Sequence, residues 1–206
     1  MGPHDRNLHP SRAAPWGAAL VSGAAMAASL HPSAPAVVGW LAPAPLVAAL
    51  ALRGGPLHSA AIAFVAGFSF WALHVRWIAT LPGVNAANLG AVLVALAAVF
   101  SIFGVAASLA RGAPAGARWA GIAAGWVLAE WVRLHLGFAS MPWGSLAYSQ
   151  IDFLPMARLA AIGGIHLVLF ATIAAACCVA FAGRALVGRS TADRREAIGA
   201  GAFFAL

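Results

Sequence analysis

Apolar segments alternate with short polar segments along the whole chain. A helix needs about 20 apolar residues to cross the hydrocarbon core of a bilayer, with a range near 17–25. Segments two to six reach that length, whereas the first has about 15 residues and the last about ten. All are apolar on every face, so the pattern predicts helices rather than the alternating strands of a membrane barrel. In chain order the segments are 16–30, 34–52, 57–81, 89–110, 119–136, 155–182 and 197–206.

This pattern predicts an all-α, polytopic membrane protein with about six transmembrane helices and a partial seventh at the C-terminus. We divide the chain into a cytoplasmic tail, residues 1–15, a transmembrane domain, residues 16–196, and the start of the seventh helix, residues 197–206. The short first segment could also be a signal peptide, since arginines precede it and small residues follow it. Because further spans follow at once, we favour an uncleaved first helix.

The composition supports the bilayer as the solvent for this chain. Of the 206 residues, 63% are hydrophobic and only 8% are charged, whereas soluble domains carry about 25% charged residues. The low charge excludes an ordinary soluble domain, and the high hydrophobicity excludes a disordered chain. Ala, Gly and Ser dominate the apolar segments, which favours close helix packing in lipid. The Gly163-Gly164 pair is expected at such a packing contact.

The basic residues predict an orientation and argue against a nucleic-acid partner. All 12 are arginines, against five carboxylates, and most stand singly between apolar segments instead of clustering on one polar face. A cytoplasmic N-terminus would place nine arginines on the cytoplasmic side and three outside, which follows the positive-inside rule. The loop after the fifth segment would then lie outside the cell. The three outer arginines would be Arg76, Arg133 and Arg158.

Residues 197–206 form an unusual end for a membrane protein. Ten helical residues reach about 15 Å into a hydrocarbon core about 30 Å thick, so the last carbonyls would be unpaired in lipid. We therefore expect the sequence to be a fragment of a longer chain.

The most informative segment is 130–152. Glu130 lies near the end of an apolar helix, where a carboxylate is costly unless it is paired, and Arg133 follows on the same helical face. A structural ion pair is the simpler interpretation. The alternative is a polar anchor beneath a lipid-binding mouth.

The loop that follows combines aromatic and hydrogen-bonding residues. The rings of Trp143 and Tyr148 favour the headgroup level of a bilayer, where they could form an ordinary interfacial belt. Ser149, Gln150 and Asp152 add hydrogen-bonding groups nearby. The mixture is typical of a loop that lies on the membrane and handles a lipid headgroup or an acyl ester.

These residues resemble those of bacterial apolipoprotein N-acyltransferases. The resemblance lies in Glu-Trp-x-Arg at 130–133, Gly137-Phe138, Pro-Trp-Gly at 142–144 and Tyr-Ser-Gln at 148–150. Residues 40–46 and 67–71 are similar to the second and third helices of that family. Residues 139–141 depart from the pattern, because the family commonly runs Gly-Phe-Pro-Trp without interruption.

The resemblance implies transfer of an acyl chain from a membrane phospholipid to the N-terminal diacylglyceryl-cysteine of a lipoprotein in the bacterial inner membrane. It also implies a nitrilase-like domain with a Glu–Lys–Cys catalytic set. This chain has no lysine, and Cys177 and Cys178 lie in an apolar segment that disfavours a thiolate. We therefore expect no catalytic residue and no acyl transfer by this chain alone. No metal-ligand spacing or nucleotide motif is present, so we expect no cofactor.

The resemblance implies that the loop residues lie near the substrate mouth, with Glu130 and Arg133 supporting them. The loop residues are Pro142, Trp143, Tyr148, Ser149 and Gln150. Two other functions stay open: a small polytopic transporter, and a non-catalytic membrane scaffold for a separate nitrilase-like subunit. A transporter would need more ionisable groups at mid-depth.

Overall fold

The computed structural model describes residues 13–51, 54–114, 116–137, 140–188 and 191–205, and throughout these residues the regular structure is helical. The described residues exclude 1–12, which form most of the predicted tail and contain Arg6 and Arg12. They also exclude Arg53, Arg189 and Phe138 of the Gly-Phe motif. The α-helices are α1 (Ala14–Ser29), α2 (Ala36–Leu41), α3 (Ala44–Leu50), α4 (Pro56–His74), α5 (Ala86–Ala110), α6 (Arg118–His135), α7 (Leu154–Ala157), α8 (Ala160–Gly188) and α9 (Thr191–Ala202). Short 3₁₀ helices cover Arg76–Thr80, Leu146–Gln150 and Phe203–Ala205.

The helices pack in a ring. α1 contacts α4, α4 contacts α5, α5 contacts α6 and α6 contacts α8; α8 then contacts α3, which returns to α1. α9 packs against α8 and touches α6. The core inside this ring is made of buried apolar side chains that include Met26, Phe70, Phe103 and Phe181.

Three helices of the described residues are long and apolar enough to cross a membrane: α4, α5 and α8. α1 has only 16 residues. α6 has 18 residues but carries Arg118 together with Glu130 and Arg133. The all-helical prediction is confirmed, whereas the count of about six spans stays a prediction.

Two predicted segments are interrupted. The segment 34–52 is divided into α2 and α3 by a turn at Ala42-Pro43, because proline has no N–H to donate inside a helix. α8 is kinked at Gly163 and Gly164, where Gly164 has φ +63°. The expectation of close packing at this pair is wrong: no heavy atom lies within 4 Å of a Cβ built on Gly164, and the three atoms nearest to a Cβ on Gly163 all belong to Leu167 of the same helix.

Other glycines do allow close helix contacts, as the small-residue composition predicted. A Cβ on Gly23 of α1 would collide with the carbonyl oxygen of Ala66 in α4. A Cβ on Gly125 of α6 would lie 2.5 Å from Cβ of Ala106 in α5. Close approach increases dispersion contacts, which are the main attraction between helices in lipid.

Gly104 of α5 provides a test of this packing. A Cβ there would collide with the Ser59 carbonyl oxygen and lie 2.8 Å from Cβ of Ala63, and both residues belong to α4. Because the two helices would have to move apart, Gly104→Ala is expected to lower the free energy of unfolding by about 1–3 kcal/mol. Gly90 of the same helix is the matched control, because a Cβ there meets no atom within 4 Å. Thermal unfolding in detergent should show a lower Tm for Gly104→Ala alone. Equal Tm values for the two variants would contradict the packing role.

One end of the bundle gathers the connections that are rich in arginine. Arg111, which follows α5, donates hydrogen bonds to the carbonyl oxygens of Leu50 at 2.6 Å and of Gly54, and to Ser59 Oγ at 3.3 Å. Partial burial and the positive charge of Arg118 lower the pKa of Arg111. We call this the arginine end of the bundle.

Glu196 of α9 joins the same end. Its side chain is fully buried and accepts hydrogen bonds from the backbone N–H groups of Gly116 at 2.8 Å and Trp119 at 3.1 Å. A carboxylate at the N-terminus of α6 satisfies amides that lack a helical partner and interacts favourably with the helix dipole. α9 begins at Thr191, before the predicted start of the seventh helix at residue 197.

Candidate functional site

The candidate site lies at the opposite end of the bundle and is organised by Arg133 of α6. Arg133 donates through Nη2 to Oε1 of Glu130 at 2.7 Å and through Nε to Oε2 at 3.0 Å. Arg133 is only 1% exposed and Glu130 only 8% exposed. The bidentate pairing satisfies both carboxylate oxygens, so the two buried charges neutralise each other.

Arg133 also contacts two other parts of the chain. Its Nη1 donates to the carbonyl oxygen of Met141, in the loop that follows α6. Its guanidinium lies 5.3 Å from the ring centroid of Trp71 in α4, a favourable cation–π contact. The indole of Trp71 in turn lies against Gly144, whose φ of +91° and missing side chain allow the loop to approach. Arg133 therefore fixes the loop to both α4 and α6.

Gln150 holds the far end of the loop. It is fully buried, and its Oε1 accepts a hydrogen bond from Trp40 Nε1 of α2 at 2.8 Å. Its Nε2 donates to the Ala36 carbonyl oxygen and to Ser149 Oγ, both at 2.9 Å. Ser149 is also buried and donates to the Leu146 carbonyl oxygen at 2.7 Å. These polar groups attach the loop to the start of α2.

The aromatic residues of the loop face outward instead. Trp143 is 47% exposed and Tyr148 is 43% exposed. The ring centroids of Trp143 and Trp77 lie 6.2 Å apart. The Tyr148 hydroxyl donates to the carbonyl oxygen of the exposed Pro142 at 3.0 Å. The loop thus exposes two aromatic rings, while Arg133 holds its backbone through the Met141 carbonyl oxygen.

Three buried polar atoms around the loop have no hydrogen-bond partner among the described residues: Trp71 Nε1, His74 Nε2 and Ser145 Oγ. His74 Cδ2 lies 3.3 Å from a Cβ built on Gly144, the residue before Ser145, so His74 and the loop are close neighbours. Unpaired buried polar atoms are rare and can be satisfied by water or by a polar group of a ligand. The Trp71 indole N–H donates and the Ser145 hydroxyl can donate or accept, which suits a carbonyl or hydroxyl oxygen.

The two cysteines of the chain lie in one helix. Cys177 and Cys178 are consecutive residues of α8, where Cys177 Sγ contacts the Trp119 carbonyl oxygen at 3.9 Å and Cys178 lines a cavity together with Trp40 and Phe153. Within the described residues, no three His, Cys, Asp or Glu side chains are placed to hold a metal ion.

Sequence reasoning missed Trp40, Trp71 and Gly144 as parts of this site. The indole N–H of Trp40 was a possible signal, because buried Trp N–H groups usually have a hydrogen-bond partner. Gly144 could have been identified by its place between an aromatic residue and a serine in a tight loop. The contact of Trp71 with Arg133 has no signal in a single sequence.

Comparison with known proteins identifies the family. Residues 22–178 match the family described as the apolipoprotein N-acyltransferase N-terminal domain. The apolipoprotein N-acyltransferase of Chromobacterium violaceum is 35% identical over 179 residues, which cover 81% of this chain and 34% of that relative. The chain thus spans about a third of the length of the relative. On these matches, the chain belongs to the apolipoprotein N-acyltransferase family.

Proposed function

We propose that this chain is the membrane domain of an enzyme that transfers an acyl chain from a membrane phospholipid to the N-terminal diacylglyceryl-cysteine of a lipoprotein. The family match supports this assignment. The chain has no lysine, so a Glu–Lys–Cys catalytic set would have to come from residues outside these 206. In such a set the glutamate acts as base towards the thiol nucleophile, and the lysine stabilises the oxyanion.

We propose that the domain lies in the bacterial inner membrane with a cytoplasmic N-terminus. Residues 16–196 would form six spans, with α2 and α3 together making one of them, and α9 would begin the seventh. The tail 1–15 would be cytoplasmic, and residues 197–206 would continue the seventh helix. The gathering of Arg111, Arg118 and Arg184 at the arginine end supports this orientation, because basic residues favour the cytoplasmic side.

The proposed role of the loop is to receive the lipid and the lipoprotein at the outer face. The observation that carries this proposal is the Arg133 junction, which holds Trp143 and Tyr148 at the surface. The two exposed rings would lie at headgroup depth, beside Pro142. Ser149 and Gln150 would hold the backbone of the mouth, and Glu130 would hold Arg133.

A chimera tests this function. Residues 22–178 would replace the matching segment of the Chromobacterium violaceum enzyme in a strain depleted of its own N-acyltransferase. We expect the chimera to support growth and N-acylate a reporter lipoprotein, measured by mass spectrometry of its N-terminal peptide. A chimera that inserts at normal abundance but leaves the N-terminus unacylated would refute the proposed function.

Within the chimera, Trp143→Ala is expected to reduce the rate of N-acylation about ten-fold, equivalent to ~1.4 kcal/mol. The reason is the loss of a rigid ring that contacts the lipid at the mouth. Trp131→Ala is the matched control, because Trp131 of α6 is equally exposed but its ring stacks on His135. Equal rates for the two variants would show that the loop has no special role.

The orientation is tested separately with topology reporters inserted after residues 113 and 143. We expect a periplasmic reporter to be active only at 143 and a cytoplasmic reporter only at 113. The reverse result would overturn the proposed orientation. The purified 206-residue chain is expected to show no acyl transfer of its own.

A further inference from the structure

A long apolar groove runs along α8 at the arginine end. The floor of the groove is α8, and its walls are α2 and α3 on one side and the start of α9 on the other. It encloses about 830 Å³, and its lining includes Leu41, Ala48, Val179, Gly183 and Arg184. Gly183 leaves the floor open, since a Cβ there would meet no atom within 4 Å.

The length of the groove matches one leaflet of a bilayer. From Val179 to Gly188 the floor covers ten residues of helix, and the nine rises between them span about 14 Å at 1.5 Å each. Half of a hydrocarbon core about 30 Å thick is about 15 Å. Beyond Val179 a second apolar cavity of about 590 Å³ continues the groove past Trp40 and Phe153. From Arg184, an acyl chain can therefore lie along α8 through the rest of the groove and into this second cavity.

A positively charged group borders the groove towards its polar end. Arg184 Nη2 pairs with Asp193 Oδ2 at 3.3 Å, while Arg184 Nε is buried without a hydrogen-bond partner among the described residues. Arg194 and Arg195 are exposed directly after Asp193. The Arg184 side chain is 28% exposed and lines the apolar groove, so its guanidinium can contact a phosphate whose acyl chains enter the groove.

We propose that this groove binds one anionic phospholipid from the leaflet at the arginine end, with its phosphate on Arg184 and an acyl chain along α8. This site lies at the other end of the bundle from the Trp143 loop and takes no part in acyl transfer. It requires only that the chain lies in a bilayer. Arg184 in the lining, together with the exposed Arg194 and Arg195 at the same end of the bundle, favours an anionic over a zwitterionic lipid.

The test uses the whole chain in nanodiscs of phosphatidylcholine with a minority of phosphatidylglycerol. Native mass spectrometry after release from the disc counts the lipids that stay bound. We expect one retained phosphatidylglycerol in preference to phosphatidylcholine. Arg184→Gln is expected to weaken its retention about ten-fold, as for loss of a hydrogen bond to a charged group. Arg158→Gln, which changes an exposed arginine at the other end of α8, should leave retention unchanged.

A second pair of variants tests the groove without disturbing the Arg184–Asp193 pair. Gly183→Leu places a side chain in the open groove and should displace the lipid. Gly17→Leu places the same side chain on an exposed, open face of α1 and should not. The proposal is overturned if Gly183→Leu retains the lipid, or if phosphatidylcholine is retained equally well. It also fails if the free chain dimerises and Gly183→Leu abolishes the dimer, because a second copy would then occupy the groove.

Discussion

Replacement of Arg133 by Met is expected to destabilise the folded bundle by about 3–5 kcal/mol. The substitution leaves the Glu130 carboxylate buried with no cation, and both of its oxygens lose their donors. It also removes the cation from the face of Trp71 and the donor to the Met141 carbonyl oxygen. The loop after α6 should detach from α4 and α6 together.

The free energy of unfolding in mixed micelles measures this effect. The double variant Glu130→Leu with Arg133→Met is the control, because replacing both members of a buried pair by apolar residues is often neutral or stabilising. Most of the lost stability should therefore return in the double variant. If the double variant is as unstable as Arg133→Met alone, the contacts of Arg133 with Met141 and Trp71 matter more than the ion pair.

Gln150→Leu is expected to cost about 2–4 kcal/mol, because it removes a fully buried amide together with its hydrogen bonds to two partly buried groups. The Trp40 indole N–H loses its acceptor, and the Ala36 carbonyl oxygen loses its donor. Both groups lie in or beside α2, more than 100 residues away in the sequence, so the loop should separate from that helix.

A double-mutant cycle with Trp40→Phe measures the coupling. In that background the indole N–H is absent, so Gln150→Leu should cost about 1–2 kcal/mol less than it does in the native chain. Additive losses would mean that the hydrogen bond at 2.8 Å contributes no coupling. In the chimera, Gln150→Leu should lower both the stability and the rate of N-acylation. Trp143→Ala should lower the rate of N-acylation and leave the stability unchanged.

The helical class could be predicted because apolar runs of this length have few other solutions in lipid. The interruptions could not be read from apolarity alone. Pro43 belongs to an apolar segment and still breaks it, because the missing N–H matters more than the side chain. The Gly163-Gly164 pair was assigned to helix packing, but glycine also permits the φ of +63° that kinks α8.

The candidate site was predictable where its partners are close in sequence. Glu130 and Arg133 are three residues apart on one helix, so their pairing follows from helix geometry. The sequence predicts Ser149 and Gln150 in a polar surface loop, yet both are buried. Their environment depends on α2, which only tertiary packing brings to the loop, and a single sequence carries no record of that contact.

The contact of Glu196 with α6 has a consequence for biogenesis. The amides of Gly116 and Trp119 leave the ribosome about 80 residues before the carboxylate that satisfies them. During synthesis the translocon or water has to shield those amides, and the arginine end of the bundle is complete only when α9 has emerged. Ribosome-bound chains stalled ahead of Glu196 should therefore remain sensitive to protease near residue 116.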